Sequence, residues 1–295
     1  MTQTQTKKTS ARGFWLIPLA ASLALSGCTP NTGEITVVSR EDGSGTRAAF
    51  IELFGIEEKT ADGGRKDHTT DEAIIAKQSD VMMTQVAGDE DAIGYLSLGS
   101  LNETVKAVSI DGIAPAPEAV ASGEYPVARP FLVATAGDPD ALAADFIGYI
   151  LAAEGQTIVN ESYTAVVADA APYASTDPSG TLVVAGSSSV APVMEKLAEA
   201  YEAVNPAAQV DIQLSDSSAG LQAAIDGTAD IGMSSRDLKE SETATLNATV
   251  IARDGIALIV NQANPVTDLT SDQVHAIFTG TVTSWSELTE VDELS

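Results

Sequence analysis

The chain alternates between short β-branched runs and stretches with apolar residues every three or four positions, and the changeovers are rich in glycine and hydroxyl residues. The first changeover is the sharpest. Residues 35–38 (ITVV) read as a strand and 39–46 (SREDGSGT) as a polar turn; a helix expected over 46–56 sets Ala49, Phe50 and Leu53 on one face. A strand, a glycine-hydroxyl loop and a helix start bring backbone N–H groups, hydroxyls and the Arg40 guanidinium towards one point, which outlines an anion site. The same residue types also serve plain turn geometry and N-capping. A nucleotide P-loop is disfavoured, because no Gly-Lys-Ser/Thr follows the glycines.

Further along, 57–68 reads as a polar loop turning at 62–64, 70–78 as a short helix capped by Thr69 or Thr70, and 92–96 and 105–110 as strands. The acidic stretch 88–91 has a spacing that fits no calcium cage and reads as a solvated turn. Residues 127–135 form a buried strand that could cross between lobes. An amphipathic helix follows over 142–151, with Phe146, Ile147 and Ile150 inward, and a second helix starts near Glu154. Residues 168–180, rich in Ala, Ser, Asp and Pro, have the composition of a linker.

A second half then opens as the first did. Residues 181–190 run from a β pattern into Ser187, Ser188 and Ser189, and Pro192 stands in the first turn of a helix with Val193, Leu197, Tyr201 and Val204 on its apolar face. The strand 210–214 runs into 215–220 (SDSSAG), which opens a helix over 221–226; 229–236 ends in Ser234, Ser235 and Arg236. A long buried strand over 250–261 is expected to be interrupted at Asp254 and Gly255, before a helix over 269–278 that Gly280 terminates. Three strand-to-helix junctions thus share one chemistry.

The 295 residues suffice for two lobes, each with its own core, and the 44% hydrophobic content suits a packed protein. A net charge of -27 disfavours nucleic acid and anionic membrane surfaces as partners. It also repels an anionic ligand at long range, so capture must rest on local donors and very few cations.

The first 28 residues stand apart: Lys7, Lys8 and Arg12 precede an apolar 14–25, and a small-residue site ends at Cys28, the single cysteine. The apolar stretch is short for a membrane span. The Leu-Ser-Gly before Cys28 resembles the lipobox of bacterial lipoproteins. That resemblance implies a signal peptide over 1–28, cleavage before Cys28, lipidation of its sulfur and an extracytoplasmic, membrane-tethered protein, with 29–33 as a polar tether. Removing the leader's basic residues leaves a charge of about -30.

The loops at 186–190, Ser217-Ser218, 230–236 and 40–46 (REDGSGT) together resemble the phosphate-binding lipoproteins of Pst-type ABC importers, over nearly all of the chain beyond residue 33. The resemblance implies an α/β, two-lobed periplasmic-binding-protein-like fold of type II with hinge strands. In the usual family the segment like 181–288 comes first and that like 35–173 second, so the order here is that of a circular permutation. One lobe is then expected to be continuous over 129–261 and the other assembled from 33–128 and 262–295, with the chain ends close together in an exposed loop.

By the same resemblance, Ser188, Ser189 and Ser217 bind oxyanion oxygens from one lobe, with Ser235 beside them. Arg40, Ser44, Gly45 and Thr46 face them from the other. Asp42 is expected to pair with Arg40 and fix its fork. Ser187 and Ser218 support the loops, and Arg236 adds a second cation or points to solvent. Ser235 stands where the enterobacterial form has an aspartate that accepts the proton of bound phosphate; Asp42, Asp216 and Asp254 are the carboxylates that could substitute. The implied function is capture of inorganic phosphate and its delivery to transmembrane permease subunits, by a monomer with no cofactor or metal. Sulfate or molybdate is the alternative ligand. A secreted phosphatase using Ser44 or Ser188 is disfavoured, since only His68 and His275 exist and neither lies near the serine loops in sequence.

Overall fold

In the computed structural model, which describes residues 1, 2, 4, 33–60 and 64–288, the β-branched runs become strands of one curled mixed sheet. Apart from residues 1, 2 and 4, the expected leader with Cys28 lies outside the described residues, as do residues 29–32 of the tether, 61–63 and 289–295.

The first half of the chain forms β1 (Thr36–Arg40), α1 (Gly45–Leu53), β2 (Glu57–Lys59), β3 (Arg65–Asp67), β4 (Ile74–Ala76), α2 (Ser79–Ala87), β5 (Ala92–Ser97), β6 (Val105–Ile110), α3 (Pro117–Ser122) and β7 (Ala128–Ala136). Next come α4 (Ala141–Leu151), α5 (Ala153–Val159) and β8 (Thr164–Ala165). The second half adds β9 (Gly180–Ser187), α6 (Ala191–Val204), β10 (Ala208–Ser215), α7 (Ser217–Ile225), β11 (Ile231–Ser234), α8 (Glu240–Thr243), β12 (Leu246–Asn261), β13 (Asp268–Leu269) and α9 (Ser271–Phe278). Among the described residues the strands pair in the order β10-β9-β11-β7-β12-β5-β1-β4. β9 is parallel to β10 and β11, and β1 is parallel to β4 and β5; the antiparallel pair β7 and β12 joins the two groups.

Two large cores flank this junction. One gathers Phe131, Phe146, Val184, Leu197, Tyr201 and Ile231, and the other Phe50, Ile93, Tyr95, Val108, Val274 and Phe278. β12 serves both: Ile251 and Ala252 belong to the first core, and Ile256, Leu258 and Val260 to the second. The strand therefore changes core between 252 and 256, ahead of the expected limit at 261. β7 does the same, with Val127 just before it in the second core and Phe131 in the first.

Several elements depart from expectation. Residues 70–78 hold no helix: Ile74 and Ile75 lie in β4, paired in parallel with Val38 and Ser39 of β1, and both stay exposed on the sheet edge. β-branched neighbours suit that pleat better than a helix. The 57–68 loop contains the β2–β3 hairpin. β12 runs unbroken through Asp254 and Gly255, which pair with Arg129 and Ala128 of β7. α7 starts at Ser217 rather than 221, since Asp216 caps it by accepting from Ala219 N at 2.8 Å. Leu269 belongs to β13, and α9 opens after a Thr270–Gln273 capping box. Val204, expected on the apolar face of α6, is exposed at its end.

The 168–180 linker has no helix or strand before Gly180, yet it is fastened down. Buried Asp145 on α4 accepts from the Tyr173 hydroxyl, from Thr176 N at 2.9 Å, from the Thr176 hydroxyl at 2.7 Å and from the Tyr201 hydroxyl at 2.9 Å. Beside the second core, Ile35 N donates to Thr283 O at 2.7 Å and Trp285 N to Gly33 O at 3.2 Å. Residues 33–35 and 283–285 are thus adjacent.

Candidate anion-binding site

Arg40 is the last residue of β1 and is 1% exposed. Its backbone is set by Tyr95, whose hydroxyl accepts from Arg40 N at 3.2 Å and bonds Ser39 Oγ at 2.8 Å, while the Tyr95 ring stacks on Phe50 at 3.9 Å. Burial pushes the Tyr95 phenol up, which keeps it a neutral hydrogen-bonding strut. The guanidinium spreads across four partners. Nε donates to Ala76 O at 3.1 Å and to Glu41 Oε2 at 2.9 Å; Nη2 donates to Glu41 Oε1 at 2.8 Å and to Ser188 Oγ at 3.2 Å; Nη1 reaches Ser79 Oγ at 3.4 Å.

The carboxylate that fixes the Arg40 fork is therefore Glu41, not Asp42. The longer Glu41 side chain folds back on its neighbour, whereas Asp42 sits in the turn, points to solvent and pairs with Arg47 at 3.0 Å. Arg47 also holds Asp67 at 2.8 Å and donates to Arg40 O at 2.6 Å, so the turn after β1 is tied to the hairpin.

After that turn, Ser44 caps α1 by accepting from Arg47 N at 3.3 Å. Gly45 follows at the point where the lobes meet: a Cβ there would stand 2.3 Å from Ser217 Oγ and 2.6 Å from Ser235 Oγ. Only the missing side chain permits that approach. Next to it, Thr46 Oγ1 bonds Ser189 Oγ at 2.8 Å, and Ser79, the first residue of α2, lies 3.3 Å from the same Ser189 oxygen.

The facing lobe brings β9 and β11 up to the same point. Ser187 Oγ donates to Ser235 Oγ at 2.9 Å and accepts from Ser189 N at 3.3 Å; Ser217 Oγ accepts from Ser235 N at 3.1 Å. Ser218 N donates across the cleft to Gly43 O at 3.2 Å. Four helix starts, α1 and α2 from one lobe and α6 and α7 from the other, so border a cluster of hydroxyls with a guanidinium at its edge. Helix N-termini and serine hydroxyls favour a small oxyanion. Ser39, Ser44, Thr46, Ser187, Ser189, Ser217 and Ser235 are all buried, while Ser188 and Ser218 are half-buried.

The other expected participants are engaged elsewhere. Arg236 neither joins the cluster as a cation nor points to solvent. It is buried, forks onto Glu242 with two 2.8 Å bonds and donates to Ser218 Oγ at 3.1 Å. Burial works to raise the Glu242 carboxyl, but Arg236 and the Lys239 backbone hold it below its usual range. Asp216 caps α7, and Asp254 is bound by Arg129. His68 lies by Glu58 and His275 against Phe54 O, both away from the serines. Among the described residues, no group of three His, Cys, Asp or Glu could hold a metal. Sequence reasoning missed Ser79, whose helix lay just past the one expected over 70–78, and Glu41, whose only signal was its place beside Arg40.

The profile of the family described as the PBP superfamily domain, PBP-like 2, matches residues 15–154 and 171–294. The phosphate-binding protein PstS 2 of Streptococcus agalactiae is 50% identical over 273 residues, covering 90% of this chain and 93% of that protein. The PstS 2 of Streptococcus pneumoniae is 41% identical over 278 residues, covering 94% of each. The chain belongs to the PstS family of the PBP superfamily. A crystal structure of a phosphate ABC transporter's phosphate-binding protein from Streptococcus pneumoniae superimposes with a TM-score of 0.70 at 41% identity, covering 87% of this chain and all of that one. This PstS-family chain therefore has the α/β periplasmic-binding-protein-like fold. Its segments follow one another in the same order as in the streptococcal PstS 2 proteins, because those alignments run through nearly the whole of both chains.

Proposed function

We propose that the protein captures inorganic phosphate between its two lobes and delivers it to the transmembrane permease of an ABC importer. The observation that carries this reading is the meeting of Arg40 and Thr46 from one lobe with Ser188 and Ser189 from the other, at 3.2 Å and 2.8 Å. An oxyanion held there by Arg40, Ser44, Gly45, Thr46, Ser188, Ser189, Ser217 and Ser235 is bound by both lobes at once, so its presence favours the closed arrangement. The named relatives are phosphate-binding proteins, one of them from a phosphate ABC transporter, which supports phosphate over sulfate or molybdate.

Capture requires no chemistry on the ligand, and the role is that of a binding protein rather than an enzyme. In this reading Cys28 carries a lipid that tethers a monomer outside the cytoplasmic membrane. The order of segments is a circular permutation of the commoner arrangement, a reading supported by the contact of Gly33 with Trp285.

Calorimetric titration of the chain from residue 33 onward with phosphate, arsenate, sulfate and molybdate tests the proposal. Phosphate is expected to bind most tightly, and Arg40→Ala to abolish measurable binding; tightest binding of sulfate would refute it. Size-exclusion with light scattering reads the oligomeric state. Mass spectrometry of membrane-extracted protein, beside a Cys28→Ser variant expected in the medium, reads the anchor.

A further inference from the structure

Arg129 and Asp254 face one another directly across β7 and β12, at the place where both strands pass from one core to the other. Their side chains are each 1% exposed. Arg129 Nε and Nη2 donate to Asp254 Oδ2 at 3.1 Å and 3.0 Å, and the other carboxylate oxygen accepts from Ser97 Oγ of β5 at 2.9 Å. The remaining arm of the guanidinium, Nη1, donates to the backbone carbonyl of Ser235 at 3.3 Å. The opposite side of Ser235, its hydroxyl, lies among Ser187 and Ser217 and against Gly45.

The contacts thus make a closed circuit through the molecule. Ser97 belongs to the lobe of β1 and β5; Asp254 and Arg129 sit on the strands between the lobes; Ser235 belongs to the facing lobe; and Ser235 meets Gly45 back in the first. A rotation of the lobes about the core changeover at 128–131 and 252–256 would turn the Arg129 fork and displace the Ser235 carbonyl. We infer that Arg129, held by Asp254, is a positioning residue that makes the seating of the Ser235 loop against the anion depend on the hinge angle.

Stability alone does not call for such a pair. Burying two charges costs about as much as their attraction returns, and well-packed apolar replacements are often as stable. Burial pushes the Asp254 carboxyl up and the Arg129 guanidinium down, each opposed by its partner. What an apolar pair does not provide is a rigid fork from β7 with two arms on Asp254 of β12 and one on the Ser235 loop.

This inference rests on the anion-site reading above, so the parent protein is measured in the same experiment. Arg129→Met/Asp254→Leu removes both charges, and Arg129→Lys keeps the charge without the fork. Stopped-flow phosphate binding, thermal melting and small-angle scattering with and without phosphate are read for each. Both variants are expected to melt within a few degrees of the parent and to release phosphate at least tenfold faster, with a smaller ligand-induced compaction. A folded variant of either kind that releases phosphate within twofold of the parent overturns the inference. If the double variant does not fold, Arg129→Lys decides alone. A parent that binds only another oxyanion refutes the phosphate reading, and the same release ratio is then read with that anion. A parent that binds no oxyanion refutes both.

Discussion

Thr46 and Ser189 stand 143 positions apart in sequence, and their hydroxyl oxygens are 2.8 Å apart. Each is next to a helix start on its own lobe, and each is buried, so the bond exists only because the lobes meet. The same contact surface determines how the site responds to substitution.

Arg40 is the most exposed to test. A hydrogen bond to a charged partner contributes about 1.5–3 kcal/mol. Arg40→Lys keeps the charge but loses the fork that spans Glu41, Ala76 and Ser188, so phosphate affinity is expected to fall by about a hundredfold. Isothermal titration reads the loss. An unchanged Kd would remove Arg40 from the site.

Gly45→Ala adds a methyl group where Ser217 and Ser235 oxygens already press close. The lobes are expected to seat less closely, weakening phosphate by more than tenfold, while the melting temperature without ligand changes little. Scattering in saturating phosphate should show a larger radius of gyration than the parent.

Ser235 places a hydroxyl, which both donates and accepts, beside Ser187 and Ser217. A carboxylate there accepts a hydrogen bond from the hydroxyl of hydrogen phosphate but faces a bare oxygen of sulfate. Ser235→Asp is therefore expected to raise the phosphate-to-sulfate affinity ratio by at least tenfold, chiefly by expelling sulfate. Competition between the two anions on parent and variant measures it.

Asp145 fastens the 168–180 segment. Burial works to raise its carboxyl, but bonds from Tyr173, Thr176 and Tyr201 prevail and hold it below its ordinary value of 3.8. A lowered folded value means that the stabilisation is complete above that ordinary value and is lost as the pH falls through the folded one. Asp145→Asn is expected to lose about 1–2 kcal/mol at neutral pH. Its melting temperature should also fall less than the parent's between pH 5 and about pH 3.

The strand-to-helix junctions were legible because their signals are local: β-branched runs, a cap residue, then apolar spacing. What sequence could not supply were the partners chosen in three dimensions. Ile74 and Ile75 become a strand only because β1 offers an edge, and Glu41 displaces Asp42 on Arg40 only because the turn throws Asp42 outward. Arg236 looked available until Glu242, one short helix away, took its fork. Asp254 looked like a break in a strand and is instead half of the pair that bridges two strands.

Among the described residues, the guanidinium groups of Arg40, Arg129 and Arg236 that bond the serine loops each carry their own carboxylate: Glu41 on Arg40, Asp254 on Arg129, Glu242 on Arg236. An incoming ion therefore meets oriented dipoles in electrically balanced surroundings, and the ionic atmosphere around a -27 molecule finds no bare cation to screen there. Added salt weakens only the distant repulsion, so phosphate should be gripped no less firmly in brine than in fresh water.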